Sequence, residues 1–335
     1  MGTRSVRTIG LVVLLIVLVA ACGASIAIGS RVIPFGEVWD ALWADRVSDS
    51  SEAAGIVQGL RIPRTVLGVI VGAAVGAAGA ISQGHTRNPL ADPGLLGVNA
   101  GAACAVVVGV YLLGITTPIQ YMGFGLLGAI VAATVVFLLA SVGRGANPLT
   151  LILAGTGLTV VLTAITSAIV LVDTASLDAW RFWQVGSTAG RGWDVIWAAA
   201  PFLVVGAVLA VASGYFLNIL TLGDDVARSL GTHVVKVRVV GIVAITLLVG
   251  AATAACGPIV FLGLIAPHVA RFVTGTDYRW VVPYSALIGA VVLVSCDVVG
   301  RVVARPGEVQ AGIVVAALGS PFFIALVQSR RLAAV

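Results

Sequence analysis

Long apolar runs separated by short polar punctuation dominate the chain. A bilayer crossing needs about 20 mainly apolar residues, and such runs occur near 8–29, 65–84, 95–115, 120–141, 150–172, 192–217, 238–256, 280–300 and 311–328. A further segment near 258–273 is shorter and carries Pro258, Pro267, His268 and Arg271, so hydropathy alone leaves it undecided. Two polar segments carry aromatic residues. In 30–64, Val38, Trp39, Leu42 and Trp43 recur at helical spacing with Glu37, Asp40 and Asp45 on the other side, which predicts a helix lying along the membrane interface. In Asp173 to Trp193, Trp180, Phe182 and Trp183 repeat the style and predict either a cap on one mouth or simple aromatic anchoring. Between the sixth and seventh runs, Leu222 to Gly231 predicts one or two helical turns closed by Gly231.

Composition fixes the solvent. With 59% hydrophobic and 10% charged residues and a mean hydropathy of +1.11, 335 residues cannot form a water-soluble domain without exposing most of their apolar surface. The 41 glycines suit membrane helices, whose backbones approach closely where side chains are small. Gly68, Gly72 and Gly76 form an every-fourth stripe that predicts a close helix crossing, and Gly123-Phe124-Gly125-Leu126-Leu127-Gly128, which matches a dinucleotide pattern in letters, lies inside a span with no strand before it and reads as packing. The net charge of +5 is carried by arginines scattered through loops, with Lys236 the single lysine, so nucleic acid is excluded as a partner.

Catalytic chemistry finds no purchase. Cys22, Cys104, Cys256 and Cys296 sit singly in apolar runs without metal or redox spacing. Val19-Ala20-Ala21-Cys22-Gly23 imitates a lipoprotein cleavage site, but cleavage there would leave a polytopic tail, so a first transmembrane helix is the better reading. Lys236 follows Val235, which rules out a P-loop, and no paired carboxylates or nucleophile–base set is evident. Charges within spans are candidate sites by default. Here His268 with Arg271, and Asp297 with Arg301, sit one turn apart near span ends, so local pairing and snorkelling are expected.

The run Gln83-Gly84-His85-Thr86-Arg87-Asn88-Pro89-Leu90-Ala91-Asp92-Pro93-Gly94-Leu95-Leu96-Gly97 resembles the hinge after the second helix of the iron-chelate and cobalamin permeases of bacterial ATP-driven importers. Arg61-Ile62-Pro63-Arg64, the stretch from Gly257 to Arg271, Gly275-Thr276-Asp277-Tyr278-Arg279 and Gly319-Ser320-Pro321-Phe322-Phe323 resemble further words of the same family, in the expected order. The segments 91–101 and 182–187 look nearest to ferric siderophore (ferric enterobactin-type) permeases that pair with a non-identical paralogue.

The resemblance implies an all-α polytopic membrane protein of ten spans with the type II importer-permease architecture: one permease domain over 1–335, with a cytoplasmic coupling loop at about 219–237. An even count puts both termini on one side. Basic residues divide eleven to eight in favour of that side, which is then cytoplasmic in a multi-pass protein of the inner membrane. The loop resembles the Glu-Ala-Ala, three-residue, Gly motif that docks in an ATPase groove, with Asp225-Val226-Ala227 in place of the triplet; Asp224, Asp225, Ala227 and Gly231 are the implied coupling residues. Arg61, Arg64 and Arg301 match family arginines that meet glutamates of the binding protein, against the plainer reading of interfacial arginines. The implied function is passage of a ferric siderophore, with haem or cobalamin of the same family and an ion-coupled secondary transporter as alternatives. The implied partners are a paralogous permease, two ATPases that hold ATP and Mg, a substrate-binding lipoprotein and membrane lipid; no metal or cofactor belongs to the chain itself.

Overall fold

The computed structural model describes residues 3–43, 51–142 and 148–328. Arg46, Arg144, Arg330 and Arg331, which contribute to the side assignment, and Asp45 lie outside these. The described residues form α1 (Thr3–Ala27), α2 (Phe35–Trp43), α3 (Glu52–Ile56), a π-helical turn (Val57–Arg61), α4 (Ile62–Thr86), a 3-10 turn (Pro93–Leu96), α5 (Val98–Leu113), α6 (Pro118–Ser141), α7 (Pro148–Val172), α8 (Thr174–Gln184), α9 (Trp193–Leu220), α10 (Asp224–Ser229), α11 (Val234–Cys256), α12 (Leu262–Thr274), α13 (Tyr278–Val303) and α14 (Ala311–Gln328).

Seven of these helices are long and apolar enough to cross a membrane, and α5, α12 and α14 are shorter apolar helices that complete the ten expected. The start of α1 lies at the end of the bundle that carries α10, where Arg7 approaches Asp277 to 3.7 Å and Asp277 is held by Asn218 near the end of α9. The centre is α4 and α11, mostly buried, while α1 and α7 leave most of their apolar surface outward, as helices in lipid can.

Small residues set the close crossing of α4 and α13. A Cβ on Gly72 would lie 2.5 Å from the carbonyl oxygen of Gly289, one on Gly76 2.1 Å from that of Ser285, and one on Gly289 2.2 Å from that of Gly72. The stripe on α4 therefore meets α13 backbone to backbone, where van der Waals packing replaces the hydrophobic drive that lipid removes. In the second glycine motif Gly128 packs on Gly101 of α5 and Gly125 on Ala254 of α11, but Gly123 faces open space and takes no part.

The undecided segment is a half-length helix. At about 1.5 Å per residue, α12 is roughly 20 Å long against a core of about 30 Å, and it starts from a non-helical stretch at 257–261 that ends on Phe261 in the left-handed region. The backbone polar groups around that break are answered by protein: the Ser187 amide donates to the Cys256 carbonyl at 2.7 Å, and that of Gly312 to the Gly186 carbonyl at 3.0 Å. The interfacial helix α2 turns differently from expectation. Val38 and Ala41 are its buried residues, packed with Ala54 and Val57, whereas Trp39 and Trp43 stand outward edge to face.

Candidate functional site

The polar loop after α9 folds as α10. Gly223, at φ +111°, turns the chain into it, and a Schellman closure ends it: the Gly231 amide donates to the Arg228 carbonyl at 2.9 Å and the Thr232 amide to the Ala227 carbonyl at 3.0 Å. Gly231, at φ +79°, holds the left-handed position this closure needs. Within the helix the four candidate coupling residues divide. Ala227 is fully buried, and Asp225 points wholly to solvent, paired only with Arg228 one turn on at 2.8 Å. Val226, Leu222 and Leu230 are exposed beside it, which gives the loop an outward face of one carboxylate and three aliphatic side chains.

Asp224 points inward and bolts α10 to the bundle. Arg87, the left-handed residue capping α4, donates to its Oδ1 and through Nε to the Leu220 carbonyl at 2.8 Å, and Arg238 of α11 donates to its Oδ2 at 2.7 Å. Burial works against the Asp224 carboxylate, but Arg238 and Arg87 hold it below the ordinary carboxylate range. Neither arginine stands out in the sequence as more than a loop charge. Together they tie α10 to the cap of α4 and the first turns of α11.

A second network braces the same end. Arg271 donates to Gln83 Oε1 at 2.6 Å and to the Tyr278 hydroxyl at 3.2 Å, so its expected local partner, His268, is wrong. His268 is buried between the edges of Phe272 and Phe322 and neither ring nitrogen has a hydrogen-bond partner. Tyr278 and Asp277 are held by Asn218 of α9, and Asp277 also takes Arg279 in a two-point grip. Those contacts, led by the Arg279 hydrogen bonds, bring the Asp277 carboxyl down to about 2.

At the opposite end, the candidate docking arginines line one cleft of about 430 Å³ together with Arg31, Arg191 and Glu308. They are not free charges. Arg61 is buried and donates to the carbonyls of Ile26, Ala27 and Arg31 at 2.6–2.9 Å, closing the end of α1. Arg301, also buried, donates to the Ser25 carbonyl at 2.7 Å, to the Ser25 hydroxyl and to Asp297 Oδ2, both at 2.6 Å. Arg64 grips Asp297 through Nε and Nη2 and reaches Glu308 at 2.6 Å. The i,i+4 pair of Asp297 and Arg301 is therefore present as expected, but inside a larger cluster and without snorkelling. Burial opposes the Glu308 carboxylate, and Arg64 holds it down. This end joins α1, α4 and α13 in a fixed arrangement before it can meet any partner.

Among the described residues no group of three or more potential metal ligands occurs. What the geometry offers is mechanical: a small surface helix tied to α4 and α11 at one end, an arginine-lined cleft at the other, and glycine-lined crossings between.

A model of the FecCD transport family matches residues 14–329. The ferric enterobactin transport system permease protein FepD of Escherichia coli is 41% identical over 332 residues, covering 98% of this chain and 96% of that one. The hemin transport system permease protein HmuU of Yersinia pestis is 32% identical, covering 95% of each. A solved structure of a metal-chelate type ABC transporter in an inward-facing conformation superposes with a TM-score of 0.82 at 26% identity, over 95% of this chain and 98% of that one.

Proposed function

We infer the role of this chain from its family: it belongs to the FecCD transport family and is a permease subunit of an ATP-binding-cassette importer, a multi-pass protein of the cytoplasmic membrane. That membership sets aside the ion-coupled alternative. The cargo we propose is a ferric siderophore. The enterobactin permease at 41% and a Bacillus subtilis Fe(3+)-citrate permease at 37% support it over haem, at 32%, and cobalamin, at 34%.

The observation that carries the mechanism is α10. An exposed six-residue helix anchored by Asp224 to both Arg87 and Arg238 transmits a push on its outer face to α4 and α11 together. On our reading the pusher is a separate ATPase, which binds ATP and Mg; α10 and both termini are cytoplasmic; and the partner across the pore is a non-identical permease. The cleft at the other end then faces the binding protein, with Arg64 and the rim around Glu308 as the contact and Arg61 and Arg301 as its framework. Uptake of labelled ferric siderophores, haem and cobalamin by a deletion strain carrying this gene tests the cargo. Uptake of haem or cobalamin alone would overturn it. Membrane subunits that co-purify with the tagged chain test the pairing, and recovery of this permease alone with its ATPase would mean a homodimer.

A further inference from the structure

Nearly every cationic side chain in the described residues is committed. Arg7, Arg64, Arg87, Arg228, Arg238, Arg279 and Arg301 have carboxylates, Arg31 has Glu52, Arg181 has Asp178, Arg61 and Arg305 have backbone carbonyls, and Arg271 has Gln83. Arg191 is different. It lies in the turn between α8 and α9, lines the cleft, and makes neither an ion pair nor a hydrogen bond among the described residues. Asp194 is near enough to act on it but forms no ion pair.

Such a group is costly to keep. A guanidinium partly withdrawn from water and without an ion pair is held at a cost: its Nε is buried with no acceptor among the described residues, and burial pushes Arg191 below the usual arginine range. Its neighbours share the deficit. Trp183 Nε1, Arg191 Nε and Trp193 Nε1 are all buried donors without acceptors, on one short segment. Buried donors in native proteins are almost always satisfied. Acceptor oxygens carrying negative charge are the chemistry that would match such a donor.

The rim of the cleft does not compete for that role, since Arg64, Arg31 and Arg301 are neutralised by Asp297, Glu308 and Glu52. Arg61 has no carboxylate but spends its donors on three carbonyls, so Arg191 is the arginine of the cleft left without a hydrogen-bond partner among the described residues. A carboxylate on another protein would have to bring its backbone into a cavity of about 430 Å³, whereas an arm of a small anion can enter it. The segment is also well placed to report occupation: its Gly186 carbonyl accepts from Gly312 of α14, and Ser187 donates to the Cys256 carbonyl at the break before α12.

We propose that this cleft receives an oxyanion arm of the cargo, a ferric chelate whose iron is held by catecholate or carboxylate oxygens, and that Arg191 meets it with a two-point grip. This rests on the ferric-chelate reading above and narrows it to anionic chelates, because a planar guanidinium matches paired oxygens and gives a neutral trishydroxamate no comparable hold.

The test uses the assembled transporter in nanodiscs without its binding protein. Gallium tris-catecholate, gallium citrate and neutral gallium trishydroxamate are titrated while tryptophan emission is followed, Trp193 being two residues along the chain from Arg191. The two anions should bind saturably. Arg191→Gln should weaken them at least about tenfold, the equivalent of about 1.4 kcal/mol, and Arg191→Lys should restore part of the loss. The trishydroxamate should respond to neither change. Equal affinity for the anions in parent and Arg191→Gln would overturn the proposal, as would a fall in affinity for the empty binding protein by the same factor, which would make that protein's carboxylate the occupant. Failure of Arg191→Gln to assemble would also count against it, since the fold would then have needed the arginine itself. A parent that binds the anions yet carries no ferric chelate in the uptake panel would sink the cargo assignment and leave the anion site standing.

Discussion

Asp297→Asn should be the most damaging conservative change at the cleft. The carboxylate accepts from Arg64 Nε and Nη2 at 3.0 and 2.7 Å, from Arg301 Nη2 at 2.6 Å and from the Thr188 hydroxyl at 2.8 Å, with its side chain and that of Arg301 only 3% and 2% exposed. Hydrogen bonds to charged groups are worth about 1.5–3 kcal/mol each, but adding them overstates the effect because desolvation opposes them. The better measure is what is left behind. Arg64 keeps Glu308, so its loss is cushioned; Arg301 keeps only the carbonyls of Ser25, Ile28 and residue 297 and the Ser25 hydroxyl, none of them charged. One buried guanidinium without a counter-charge costs about 3–5 kcal/mol. Reversible unfolding of the chain in mixed micelles should show that loss, and Arg301→Met added to Asp297→Asn should recover part of it, because the second change removes the orphaned charge. A loss below about 1 kcal/mol, or two effects that simply add, would refute the reasoning.

Gly76→Ala should weaken the α4–α13 crossing by about 1–3 kcal/mol, because its Cβ would lie 2.1 Å from the Ser285 carbonyl oxygen, whereas Gly123→Ala, with nothing within 4 Å, should be neutral in the same unfolding assay. Asp225→Arg should leave folding and insertion intact and abolish stimulated ATP hydrolysis in the reconstituted complex. Gly231→Val, which must hold φ near +79° with a β-branched side chain, should add a local cost of about 1–3 kcal/mol visible in unfolding. Asp277 has a folded value of about 2 against an ordinary 3.8, so the stability it contributes is complete above the ordinary value and is lost as pH falls through about 2. An acid titration of unfolding should be flatter below pH 4 in Asp277→Asn. Arg64→Glu should lower binding-protein affinity at low salt while leaving basal ATP hydrolysis intact, whereas Arg61→Glu should lower stability first, since it leaves three carbonyls at the end of α1 without donors.

The spans were legible because a bilayer demands a long apolar run and little else imitates one. The α12 segment was legible only through its resemblance, since 13 residues with an internal proline do not read as a crossing, and what makes the half-helix workable is contributed from far along the chain by Gly186, Ser187 and Gly312. The α4 glycine stripe announced a crossing but not its mate, because the facing positions on α13 are a single Ser285–Gly289 pair and no glycine stripe. Charge was the least legible feature. Sequence distance says nothing about which carboxylate an arginine will find, and the pairs that organise both ends, Arg87 with Asp224 and Arg64 with Asp297, join residues 137 and 233 positions apart.

That same limit explains why the arginines at the cleft divide as they do. A guanidinium flanking a span can cover a helix end, neutralise a buried acid or wait for a partner, and the letters are identical in all three cases. Arg61 does the first, Arg64 the second and Arg191 neither. A charge that already satisfies carbonyls gains little by trading them for an incoming carboxylate, because the carbonyls are then left bare. A charge with no partner gains the full interaction. Recognition at this end of the molecule should therefore concentrate on the arginine that the fold leaves unsatisfied, with the paired ones fixing the walls against which it works.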